Sequence, residues 1–136
     1  MRRALRELAA LGRVRRISSF HPTRPEGYLD QPDFVNAVAE IDTELAPEDL
    51  LAGTHAIERR LGRTATFRNG PRVIDIDLID VRGLVHDSAT LTLPHPRMTS
   101  RRFVLEPLVE IAPRWRHPVT GETVSALLAA LKGLGA

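Results

Sequence analysis

Apolar residues recur along the chain at two spacings. In "MRRALRELAALG", Leu5, Leu8 and Leu11 return every third residue, which predicts a short helix with Gly12 at its C-terminal end. "VRRISSF" reads as a strand. "HPTRPEGYLDQPD" holds three prolines and one glycine in thirteen residues, the composition of a loop. "FVNAVAEIDT" reads as a single strand. "APEDLLAGTHAIERRLG" carries the clearest helical signal. Pro47 suits its first turn, Glu48 and Asp49 suit its positive end, and Gly62 is placed to close it. A polar loop, "RTATFRNGP", leads into the strand "RVIDIDLIDV". A second loop passes through "PHPRM". "SRRFVLEPLVEIAP" reads as partly helical, its length limited by Pro107 and Pro113. The tail "ETVSALLAALKG" places Val124, Leu127, Leu128 and Leu131 on one side of a last helix. The order helix, strand, strand, helix, strand, short helices predicts an α+β chain with one sheet and helices packed on it.

Composition narrows the class. A length of 136 residues predicts one domain, 1–136, and a hydrophobic fraction of 43% supports one modest core. No run of about 18 apolar residues occurs, so no membrane span is expected. The basic N-terminus lacks the apolar core and cleavage site of a signal peptide, so a cytoplasmic protein is expected. The absence of cysteine excludes disulfides and thiolate metal sites. The net charge is +2, too mild to indicate a nucleic-acid partner, although 18 of the 19 basic residues are arginine. The bias toward arginine fits a GC-rich genome. The six aromatic residues form no alternating strand pair of the kind that stacks bases, which also counts against a nucleic-acid binder.

The chemistry concentrates in "RNGPRVIDIDLI". Asp75 and Asp77 sit two apart in an apolar run, so in a strand they share one face with Val73 and Ile79. Ile74, Ile76 and Leu78 would face the core. At about 3.3 Å per residue the two Cα atoms lie roughly 6.6 Å apart, and the carboxylates repel unless a cation joins them. Mg²⁺ takes one or two carboxylates together with substrate phosphates, so the pair is a candidate metal site. A D-x-D in a strand is otherwise more often two harmless surface charges. The context here is a Gly70–Pro71 turn that delivers Arg72 beside the pair and leaves Arg68 in the loop. Cations next to paired carboxylates are what a polyphosphate–Mg²⁺ site requires.

"GPRVIDIDLI" followed by "LPHPRMTSRRFVLEPLVEIAP" resembles the 6-hydroxymethyl-7,8-dihydropterin pyrophosphokinases of folate biosynthesis. "SSFHPTRPEGYLDQPDFVNAV" and "LAPEDLLAGTHAIERRLGR" resemble the same family in the same order, over about residues 4 to 131. The resemblance implies a ferredoxin-like antiparallel sheet with helices packed on it. It implies transfer of diphosphate from ATP to the pterin hydroxymethyl group, with release of AMP. Two Mg²⁺ ions would be held by Asp75 and Asp77. Asn36 matches a pterin hydrogen-bonding residue and Phe103 an aromatic that stacks on the pterin. Thr23 and Pro25 match the pterin-pocket loop. Glu58, His95 and Arg101 match positions at the ATP site, and Arg63 and Arg72 match arginines on the phosphates. The implied partners are small molecules only, and the implied state is a monomer. Plainer alternatives stand beside these roles: Phe103 as core, Asn36 as a strand-edge residue, His95 as a loop residue that caps a turn, Glu58 as the partner of a neighbouring arginine, Arg63 as a charge at a helix end.

The chain departs from the family pattern in four places. Asn69 replaces a tryptophan of R-W-G-P-R, Ala65 replaces the second arginine of G-R-x-R, and His55 replaces a glutamine near the ATP site while still able to donate one hydrogen bond. The fourth is at the start, where the family has a strand and a Gly-Ser-Asn-Leu-Gly turn and this sequence opens within the first helix. A start codon placed too far downstream accounts for this. So does a homologue that binds nucleotide or pterin without catalysis.

Overall fold

A computed structural model of the chain describes residues 2–23, 34–64 and 74–133, with the side chains of Thr23, Phe34, Arg63 and Thr64 outside that description. The elements in order are α1 (Arg2–Leu8), β1 (Arg13–Ile17), β2 (His21–Thr23), β3 (Phe34–Asn36), β4 (Ala39–Asp42), α2 (Pro47–Thr64), β5 (His86–Asp87), β6 (Thr92–Leu93), a 3-10 turn (Met98–Ser100), α3 (Arg102–Ile111) and α4 (Val124–Gly133). The chain is therefore α+β. The described strands pair as three two-stranded sheets, β1 with β4, β2 with β3 and β5 with β6.

The chain divides into two compact units, Met1–Arg15 with Ile41–His95, and Arg16–Glu40 with Pro96–Ala136. In the first, α1 lies on α2. Ala4, Ile57 and Leu61 are buried there, with Leu8, Leu11, Ile74 and Ile76 packed around them. A second cluster buries Leu50, Val81, Leu91 and Leu93 against Leu11, Ile41, Leu45, Leu51 and Leu78. The chain comes close to itself at Gly12, where a Cβ would lie 2.1 Å from the Asp42 carbonyl oxygen. Gly12 is thus set by this approach and not by the end of α1, which stops at Leu8.

In the second unit α3 packs against α4, the 3-10 turn and the β2–β3 hairpin. Met98, Leu105 and Val124 are fully buried. In α4, Val124 and Leu127 are buried while Leu128 and Leu131 are half-buried, so the predicted apolar side is the inward one. The hairpin is antiparallel, with His21 opposite Asn36, Pro22 opposite Val35 and Thr23 opposite Phe34.

Several expectations are corrected. The segment read as one strand from Phe34 divides into β3 and β4, interrupted at Ala37 and Val38. The loop read from His21 begins as β2. Helix α2 passes Gly62 and runs to Thr64. Pro107 does not limit α3 but lies inside it, fully buried. Its ring removes one N–H bond to the carbonyl four residues back, and its burial among apolar side chains offsets that loss. Residues 74–80 form no strand, although a strand was read over 72–81. A strand needs a ladder partner, and two of the backbone groups here bond elsewhere. The Ile76 N–H donates to a Glu58 carboxylate oxygen and the Ile79 carbonyl accepts from His95. Of the loop read over 63–71, residues 63 and 64 belong to α2 and the rest lies outside the described residues, as do Val73 and residues 24–33.

Candidate active site

The aspartate segment belongs to the first unit. Asp75 and Asp77 are exposed, while Ile74, Ile76 and Leu78 are half-buried against the clusters beside α1 and α2. The in-and-out alternation holds as far as Leu78 and fails at Ile79, which is half-buried. An extended backbone with one apolar side is enough to hold it, without a ladder.

Two groups brace the segment. Glu58, on α2, accepts the Ile76 N–H at Oε2 over 2.6 Å. That amide lies between the two aspartates, so Glu58 fixes the stretch of backbone that carries them. The His95 N–H donates to the Ile79 carbonyl over 2.8 Å, two residues beyond Asp77. His95 itself is half-buried. The sequence offers Glu58 as an ATP contact or as an arginine partner; its Oε2 holds a backbone amide. His55 is exposed on α2, one turn before Glu58.

The donor set suits a hard divalent cation. Two exposed carboxylates project from one side of a braced segment, and such a cation takes one or two carboxylates and fills its shell with substrate oxygens and water. Among the described residues no cluster of three or more His, Cys, Asp or Glu forms a closed metal cage.

The remaining described candidates belong to the second unit. Asn36 ends β3, half-buried. Thr23 ends β2, paired with Phe34. Phe103 lies in the first turn of α3, half-buried, with the Arg101 guanidinium over its ring at 5.3 Å from the centroid. Arg63 lies in the last turn of α2. Pro25 and Arg72 lie outside the described residues, as do Ala65, Arg68 and Asn69.

Two polar clusters have no counterpart in the sequence reading. Glu48 accepts hydrogen bonds from Thr90 Oγ1 at 2.7 Å and Ser88 Oγ at 2.8 Å, and it meets His86 Nε2 at 3.1 Å. These bonds, that of Thr90 foremost, hold its carboxyl below the usual range and tie the β5–β6 hairpin to the start of α2. Glu110, near the end of α3, accepts from the Ser19 N–H at 2.8 Å and from the Ser19 hydroxyl at 2.9 Å, and it pairs with His21. The bond from the Ser19 amide is the chief cause of its lowered pKa. Ser19 and Glu110 are 91 residues apart, so no local pattern could have joined them.

The family model for 7,8-dihydro-6-hydroxymethylpterin-pyrophosphokinase matches residues 1–113. A 2-amino-4-hydroxy-6-hydroxymethyldihydropteridine pyrophosphokinase of Pseudomonas aeruginosa is 44% identical over 114 residues, 84% of this chain and 70% of that protein. The protein of the same name from Synechocystis is 41% identical over 127 residues, 92% of this chain and 65% of that one. The folic acid synthesis protein FOL1 of Dictyostelium discoideum is 42% identical over 114 residues, 84% of this chain. The match covers 17% of that protein, so the chain spans only a small part of the length of the longer relatives. With the family model matched across most of its length, the chain belongs to the 7,8-dihydro-6-hydroxymethylpterin-pyrophosphokinase family.

Proposed function

We propose that the protein transfers diphosphate from ATP to the hydroxymethyl group of 6-hydroxymethyl-7,8-dihydropterin, releasing AMP, as a step of folate biosynthesis. The observation that carries this reading is the exposed Asp75–Asp77 pair on a segment braced by Glu58 and His95, in a chain of this family. The reading takes residues 1–136 as one pyrophosphokinase-like domain of ferredoxin-like arrangement, supported by the single family match over residues 1–113. It takes the protein as a cytoplasmic monomer acting on small molecules.

Asp75 and Asp77 would hold Mg²⁺. When bound, the metal neutralises charge on the triphosphate and orients it. The residues do the rest by position. Glu58 keeps the two carboxylates at a fixed spacing. Arg63 and Arg72 supply cations for the phosphate oxygens, and His55, His95 and Arg101 supply further ATP contacts. Asn36 and Phe103 hold the pterin, one at its edge and one on its face, with Thr23 and Pro25 in the pocket loop. Bringing the hydroxyl into line with the β-phosphorus then supplies the main part of the rate.

The test is AMP release from ATP and Mg²⁺ with and without the hydroxymethyldihydropterin, beside Asp77→Ala. AMP that depends on the pterin and disappears in the variant is expected. AMP formed equally without pterin, or none at all from the unaltered chain, would overturn the reading.

A further inference from the structure

Glu110, Ser19 and His21 form a three-residue cluster that the reaction above does not use. It is not a nucleophile set. A serine–histidine–carboxylate relay needs the hydroxyl on one ring nitrogen and the carboxylate on the other. Here Ser19 Oγ and the Glu110 carboxylate both meet Nε2 of His21, and the Ser19 hydroxyl also reaches both Glu110 oxygens at 2.9 Å. The cluster is a clamp, and what it clamps follows from register and helical spacing.

His21 lies directly opposite Asn36 in the antiparallel hairpin. Opposite residues in such a pair present their side chains on the same face, with Cβ atoms about 5 Å apart. Asn36 therefore shares the hairpin face that His21 turns toward α3. Phe103 precedes Glu110 by seven residues on α3. That is close to two full turns, so both lie on one helix face, about 10 Å apart along the axis. The Glu110 carboxylate thus joins the helix face that carries Phe103 to the hairpin face that carries Asn36. Arg16 reinforces the joint by donating to the Ile111 carbonyl at 2.8 Å.

We propose that Glu110, with Ser19 and His21, is a positioning residue that sets the gap between Asn36 and Phe103, and through it the affinity for the pterin. The inference rests on the reading of Asn36 and Phe103 as pterin contacts. Glu110 does not touch the pterin itself; it acts through the two elements it joins.

The test measures 6-hydroxymethyl-7,8-dihydropterin binding by fluorescence, with Mg²⁺ and a non-hydrolysable ATP analogue present. The unaltered chain is compared with Glu110→Gln, Ser19→Ala and Asn36→Ala. Melting temperature, the affinity for the ATP analogue alone, and the side-chain amide resonances of Asn36 are followed in parallel. The expected result for Glu110→Gln is a loss of pterin affinity of about tenfold, the size of one charged hydrogen bond. The analogue affinity should stay unchanged and the Asn36 resonances should shift. Ser19→Ala, at an exposed position, should give the same pattern more weakly, and it serves if Glu110→Gln fails to fold. If Asn36→Ala weakens pterin binding while Glu110→Gln and Ser19→Ala bind as the unaltered chain does, the clamp is overturned and the proposed function stands. A lowered melting temperature with unchanged pterin affinity overturns it equally. If the unaltered chain binds no pterin, or Asn36→Ala binds it equally well, the pterin reading fails and the clamp falls with it.

Discussion

At the scale of single residues, one carboxylate illustrates how position decides role. Glu58, like Glu7, has an arginine beside it in the sequence, yet its Oε2 caps the amide between Asp75 and Asp77. Glu58→Ala leaves that part-buried N–H without its partner. A loss of about 1–3 kcal/mol in unfolding free energy is expected, read from the denaturant midpoint. Any activity should fall as well, because the spacing of the aspartates is no longer fixed. Two glycines make a sharper contrast. A Cβ on Gly12 meets the Asp42 carbonyl oxygen, a backbone atom that cannot swing aside, so Gly12→Ala is expected to destabilise by about 1–3 kcal/mol. A Cβ on Gly53 meets only the methyl ends of Leu11, nearest at 2.6 Å, which can move. There the gain of about 1 kcal/mol in helix propensity offsets the shift, and Gly53→Ala should change the thermal midpoint less than Gly12→Ala.

At the scale of elements, the β5–β6 hairpin is too short to stand alone, and Glu48 ties it to α2 through Thr90, Ser88 and His86. The Glu48 carboxyl titrates below its ordinary value because these groups favour the charged form. A depressed folded-state pKa contributes stability that is present above the unfolded value, near 4.5, and is lost as the pH falls through the folded value. Protection of the Leu91 amide against hydrogen exchange, relative to an unstructured amide at the same pH, should therefore be greatest at neutral pH and fall as the pH drops below 4.5, and Glu48→Gln should remove most of that pH dependence. Helix α3 shows the limit of breaker rules. Pro107 was read as a boundary, yet ten residues fold through it because Val104, Leu105, Leu108 and Ile111 are buried along with it. Leu105→Ala, at a fully buried site, should cost about 2–5 kcal/mol, measured by chemical unfolding.

At the scale of the molecule, activity is expected to depend on a removable divalent cation. Chelation in excess of Mg²⁺ should stop pterin-dependent AMP formation, and added Mg²⁺ should restore it. Asp77→Ala should abolish the activity yet leave the melting temperature within a few degrees of the unaltered chain, because a change at an exposed position typically alters stability by less than about 0.5 kcal/mol. A large fall in melting temperature in that variant would give Asp77 a structural role instead.

The sequence by itself determined that α1, α2 and α4 are helices and which side of α4 turns inward. Helical period and local end signals are short-range, so α1, α2 and α4 could be read from neighbouring residues. It also marked Asp75 and Asp77, because two charges in an apolar run stand out without any structure, and linked motifs pointed to the family. What it left open depends on residues far apart in the chain. Whether an extended run joins a ladder depends on a partner strand, and residues 74–78 alternate in burial with no ladder among the described residues. The hairpin registers, the bond from the Ile76 amide to Glu58, the tie from Glu48 to Thr90 and the joining of Ser19 and His21 to Glu110 were decided only by tertiary structure. The side-chain bonds among these are made across 18 to 91 residues, and at those separations only the packing of whole elements brings the groups within hydrogen-bond reach.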